Sequence, residues 1–156
     1  MISVVGDASP LICFHDTNKI GLLRHLFDEI LIPREVKDEV YDRGRRAKPG
    51  WIKLKDLLSN SGALERFAEL RHALHGGEAA AIALAEQSGL KVFIDEVAGI
   101  TQARALGVEV IRTHDVLQLL CERKHLKPGA AHQLTIDMLR SGSRMDPFVF
   151  QPPQVR

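Results

Sequence analysis

No stretch of this 156-residue chain approaches the roughly 20 consecutive apolar residues that a membrane-crossing helix needs. The opening residues, Met1-Ile2-Ser3-Val4-Val5-Gly6-Asp7, lack the basic lead and long apolar core of a secretory signal. A cytoplasmic protein without a membrane role is therefore expected. Cysteine is scarce: Cys13 and Cys121 are far apart and form no Cys-x-x-Cys pair, which argues against a disulfide framework and for two buried, reduced thiols. His72 and His75 stand three apart, but with no cysteine or third histidine nearby they do not make a zinc site. An excess of one charge is missing too. The formal net charge is +1, so total charge points to no nucleic-acid partner. Only the local run Arg43-Gly44-Arg45-Arg46-Ala47-Lys48 could, and it suits a solvated loop equally well. There is no Gly-x-Gly-x-x-Gly, and Gly76-Gly77 lacks the pattern of a phosphate loop, so nothing supports a nucleotide cofactor.

What is present reads as one soluble domain over residues 1–145 with a tail over 146–156. Hydrophobic residues make up 45% and charged residues 26%, enough for a sizeable core in an ordinary globular protein. Short apolar runs predict strands at Ile2–Val5, Ile30–Ile32, Lys91–Ile94 and Val108–Ile111, with a short edge strand at Trp51–Leu54. Between them lie helical patterns. Ser9-Pro10 reads as a cap and first helical residue, followed by a second helical stretch from Ile20 to Phe27. Pro33 opens a helix in which Val36 and Val40 share a face. Helices are also expected over Ala63–Leu74, stopped by Gly76-Gly77, and over Glu78–Gln87, closed by Gly89. The remaining helices fall at Glu96–Leu106, Val116–Lys124 and Gly129–Arg140. Strands alternating with helices predict an α/β fold with a parallel sheet covered on both faces, whose sites form beyond the carboxyl ends of the strands.

Acids stand at those ends. Asp7 follows the first strand, Asp95 follows Phe93-Ile94, and Asp115 follows Val110-Ile111 after Thr113-His114. Glu39, one turn into the helix after Pro33, and Glu78, opening the alanine-rich helix, could face the same edge. Each has an ordinary role available: a helix cap for Asp95 and Asp115, a favourable helix-dipole position for Glu78, a solvated face for Glu39. Together they make a carboxylate cluster, which repels itself unless a counter-charge is supplied. A hard divalent cation supplies one, and its chemistry suits phosphodiester hydrolysis or other phosphoryl transfer. His114 and Thr113 lie beside the cluster in sequence, and Ser9 has no evident partner base that would make it a nucleophile.

Five segments in order resemble the PIN-domain superfamily, most closely the prokaryotic branch related to the VapC toxins. They are Asp7-Ala8-Ser9-Pro10-Leu11-Ile12, Lys19-Ile20-Gly21-Leu22-Leu23, Pro33-Arg34-Glu35-Val36-Lys37-Asp38-Glu39, Gly77-Glu78-Ala79-Ala80-Ala81-Ile82-Ala83-Leu84-Ala85, and Phe93-Ile94-Asp95-Glu96. The resemblance implies a three-layer α/β/α sandwich with a mostly parallel sheet. It further implies a magnesium- or manganese-dependent ribonuclease site built from Asp7, Glu39, Glu78 and Asp95, with Asp115 as an additional metal ligand. It also implies the toxin half of a toxin–antitoxin pair, with RNA as substrate, a small antitoxin as partner, and a homodimer. Two departures stand out. The family's Asp-Asp-x-x-Ala-Arg stretch runs here as Asp95-Glu96-Val97-Ala98-Gly99-Ile100, with Arg104 further on, and Asp146-Pro147-Phe148 and Gln151-Pro152-Pro153 replace a final helix. An inactive PIN fold that binds RNA or protein, and a structure-specific DNA nuclease, are the alternative readings.

Overall fold

A computed structural model describes residues 1–59 and 62–142, so the expected tail lies outside the described residues. Among the described residues five strands form one sheet: β1 (Ser3–Gly6), β2 (Glu29–Ile32), β3 (Ile52–Leu54), β4 (Val92–Phe93) and β5 (Val110–Ile111). Their order is β3-β2-β1-β4-β5 and every pairing is parallel, with Val4 opposite Ile30, Gly6 opposite Phe93, and Phe93 opposite Ile111. The three inner strands are apolar almost throughout, as a sheet covered on both faces requires.

Among the described residues seven helices flank it: α1 (Ala8–Asp16), α2 (Arg34–Lys37), α3 (Ala63–Leu70), α4 (Gly76–Ser88), α5 (Val97–Ala105), α6 (Thr113–Glu122) and α7 (Pro128–Arg140). A 3₁₀ segment at Ile20–His25 packs with α1 and α6, which pack in turn with α7, while α4 packs with α3 and α5. Helix α4 is buried from Glu78 through Ala85, and its alanines let it lie close against β1 and its neighbours. Phe93, fully buried, joins the layers, its ring centroid 6.2 Å from that of Phe14 and 6.3 Å from that of Phe27.

Several boundaries differ from expectation. Strand β1 runs on to Gly6, so Asp7 takes the N-cap position of α1 and Ser9 lies within its first turn. Gly76-Gly77 does not stop a helix but starts α4, and α3 ends earlier, at Leu70. Helix α6 starts three residues before Val116, which places Asp115 inside the helix. Gly89 does close α4, in the left-handed conformation (φ +65°) that glycine adopts without steric penalty. Where the sequence pattern gives an unbroken helix after Pro33, α2 is a single turn that widens into a π-helical turn, Asp38–Asp42.

Candidate functional site

The chain builds outward from β1 through β2 to β3, then returns to the other side of β1 for β4 and β5. The carboxyl ends of β1 and β4 therefore flank the point where the winding reverses, which is where open parallel sheets leave a crevice. Asp7 follows β1 directly, and its backbone N–H donates to the Phe93 carbonyl at 2.9 Å, continuing the ladder past the strand. This fixes the Asp7 side chain over the crevice.

A cleft of about 630 Å³ opens there. Its walls bring together Asp7 at the head of α1, Glu39 on the π-helical turn, Glu78 in the first turn of α4, and Glu96 just before α5, with Asp16, Glu35 and Asp38 also lining it. Gly77 is what lets two of these elements meet. A Cβ built there would lie 3.2 Å from Glu39 Oε2 and 3.8 Å from Asp7 Oδ1. The wide turn around Glu39 belongs to a class of distortion found often at functional sites.

Asp7 and Glu78 are buried, at 2% and 6% relative exposure. Burial pushes the Asp7 carboxyl up to about 7, opposed by a backbone hydrogen bond at Ala8 and reinforced by the charges of Glu96, Glu39 and Asp95. Glu78 rises to about 8, through burial first, then a hydrogen bond with Glu96 and the charges of Asp7 and Glu96. Asp7 Oδ2 and Glu78 Oε1 are buried with no hydrogen-bond partner among the described residues. Leaving such atoms unpaired is costly, and both belong to an all-oxygen set that suits a hard cation. No three histidine, cysteine or acidic side chains among the described residues already form a ligating cluster. In donor chemistry, however, the residues fit magnesium or manganese.

The other two expected acids are engaged elsewhere. Asp95, at 3% exposure, accepts hydrogen bonds from Thr113 N (2.7 Å) and Thr113 Oγ1 (2.5 Å), tying the end of β4 to the start of α6. Burial still raises its pKa, against the effect of those bonds. Asp115 sits at the third position of α6, where Oδ2 accepts from Arg112 N at 2.8 Å and Oδ1 lies 3.3 Å from His114 Nε2. Neither lines the cleft. Glu96 does, and its Oε1 accepts from Ser9 Oγ at 3.1 Å. The signal for Glu96 was its adjacency to Asp95: successive residues of an extended segment face opposite ways, so the pair divides between cleft and scaffold. Gly99 and Ile100, where the family pattern puts alanine and arginine, both face the core, and a Cβ on Gly99 would come within 2.5 Å of Ile94 Cδ1.

Comparisons with known proteins agree with this architecture. A family model described as DUF3368, PIN domain, matches residues 3–152. Among solved structures, a PilT N-terminus domain protein from the hyperthermophilic archaeon Sulfolobus solfataricus is similar, with a TM-score of 0.51 at 14% identity, covering 76% of this chain and 92% of that one. That likeness is one of fold. No curated protein matches the chain. No helix among the described residues is long and apolar enough to cross a membrane.

Proposed function

Because the chain belongs to the PIN-domain family DUF3368, within a superfamily made up in general of nucleases, we propose that it is a metal-dependent endoribonuclease, the toxin of a pair silenced by a small antitoxin. The observation that carries the reading is the convergence of Asp7, Glu39, Glu78 and Glu96 on one cleft at the reversal of the sheet, with two buried carboxylate oxygens left unpartnered.

Asp7 and Glu78 provide the buried donors, and the Glu39 carboxylate lies against Gly77, next to Glu78 in the chain. Glu96 completes the set, and Ser9 steadies it by donating to one oxygen. Asp95 adds its charge from behind, with both oxygens held by Thr113 so that β4 and α6 keep their spacing. Asp7, Glu39, Glu78 and Glu96 would hold a magnesium or manganese ion, which would supply activation of water and neutralisation of phosphoryl charge. The strand end, helix starts and π-helical turn that carry the acids would hold their oxygens in place for an in-line approach.

The test is incubation of purified, antitoxin-free protein with structured RNAs and matched DNA strands under magnesium, manganese or EDTA. Metal-dependent cutting of RNA that falls at least 100-fold in Asp7→Asn is expected. Wild-type cutting by that variant would falsify the mechanism. Cutting confined to DNA would reassign the substrate. RNA binding without cutting by folded wild-type protein would support the binding module.

A further inference from the structure

We propose that Arg43 and Arg45 form the contact for the phosphodiester backbone of a nucleic-acid substrate at the mouth of the acidic cleft. The inference rests on the nuclease reading and names the residues that bring a polyanion to a cleft that would otherwise repel it.

Asp7, Asp16, Glu35, Asp38, Glu39, Glu78 and Glu96 all line the cleft, and among the described residues that line it Arg43 is the one arginine or lysine. A cation held by some of these acids leaves the others to face an incoming phosphate chain. The substrate therefore needs positive charge at the rim, and the position expected from the family pattern does not provide it, since Gly99 and Ile100 face the core.

The cationic run from 43 to 48 does, but its members are not equivalent. Arg46 is built into the scaffold: it donates to the Val40 carbonyl at 3.2 Å and to Asp16 Oδ1 at 3.0 Å, bracing the turn that carries Glu39. Lys48 donates to the Ile52 carbonyl at 2.6 Å, anchoring the loop to β3. Arg43 and Arg45 point to solvent instead. The Arg43 side chain is 74% exposed, and its ion pair with Asp38 (2.6 Å) is the kind of surface pair that exchanges readily for a phosphate. Arg45 is exposed and holds a left-handed backbone (φ +54°), an uncommon conformation for a residue with a side chain. Two braced cations thus leave two outward-facing ones, of which Arg43 lines the cleft and Arg45 follows it two residues on in the same loop.

The experiment is fluorescence anisotropy with a labelled single-stranded RNA and the DNA of matching sequence, in EDTA across a range of salt concentrations, alongside cleavage kinetics in magnesium. Arg43→Ala/Arg45→Ala is expected to weaken binding about tenfold or more. It should also flatten the plot of log K against log salt by about 0.7 for each phosphate that the two arginines neutralise. In cleavage the loss should fall on KM. Arg43→Lys/Arg45→Lys, which keeps both charges, should restore the slope. Equal weakening on RNA and DNA marks a backbone contact, while weakening on RNA alone would overturn a contact made through phosphate. An unchanged slope in a double variant that melts with the wild type would overturn the proposal while leaving the nuclease reading intact. Wild-type protein that neither binds nor cuts either strand would overturn both.

Discussion

Asp95 and Glu96 are adjacent carboxylates, both close enough to Asp7 to act on its charge, yet they are held in opposite ways. Both oxygens of Asp95 are taken by the N–H and hydroxyl of Thr113, whereas Glu96 lines the cleft and raises the pKa of both Asp7 and Glu78. Neutral substitutions should therefore separate them. Asp95→Asn presents an amide N–H₂ to one of the two Thr113 donors, leaving a buried donor unpaired at about 1–3 kcal/mol. At this chain length each kcal/mol lowers Tm by about 2–4 °C. Glu96→Gln keeps the fold, and in the metal-free protein relieves repulsion on its neighbours, but it should weaken manganese binding about tenfold or more. Calorimetric titration with manganese and thermal melts in EDTA read the two effects independently. If Asp95→Asn abolished manganese binding with Tm unchanged, the division of labour argued for this pair would be wrong. The sequence alone did not reveal this division, because Thr113 lies eighteen residues away and the contact exists only once β4 and β5 are paired.

At the scale of elements, the strands were the legible part. Short runs such as Val4-Val5 and Ile30-Leu31-Ile32 have one buried solution, and a parallel sheet follows once helices separate them. Helix starts were less so. Asp7 heads α1 in place of Ser9 because β1 continues to Gly6, a matter of pairing with Phe93 rather than of local propensity. The π-helical turn at Asp38–Asp42 left no periodic signal, since its cause is tertiary: His15 Nε2 and Tyr41 Oη lie 2.9 Å apart, and Arg46 bonds to Val40 and Asp16 across the turn. Gly76-Gly77 looked like punctuation because glycine is most often read as a breaker. Its use here is space, for Gly77 faces the Glu39 and Asp7 oxygens from the first turn of α4. Gly77→Ala should consequently leave α4 helical, as alanine is the better helix former, while the added methyl displaces Glu39. We expect manganese affinity to fall several-fold with the circular dichroism spectrum preserved. Wild-type affinity in that variant would show that Glu39 is not held against Gly77 in the working site.

For the molecule as a whole, the cleft makes stability depend on pH in the opposite sense to a salt-bridged carboxylate. In the unfolded chain Asp7 and Glu78 lose their protons near the ordinary values of 3.8 and 4.5, whereas in the fold they hold them to about 7 and about 8. Between those limits the unfolded state binds fewer protons, so metal-free stability falls as pH rises from about 4 to about 8 and levels off above. Asp7→Asn removes one of the two groups from this balance. In EDTA the variant should therefore melt progressively above the wild type as pH is raised from 5 to 8, reaching several degrees at pH 8, although it no longer has the residue on which cutting depends. The gain is the stability that a functional cluster forgoes. Magnesium or manganese should close the gap from the other side, because ions bind the deprotonated acids and binding only to the folded state raises its stability. For the wild type, the rise in Tm on adding metal should be larger at pH 8 than at pH 5.5, and it should shrink in the variant. Melting curves at three pH values with and without manganese decide the matter. A wild type that melts no lower at pH 8 than at pH 5.5 in EDTA, or a variant that gains as much from metal as the wild type does, would mean that Asp7 is not the buried, ion-seeking carboxylate at the centre of the site.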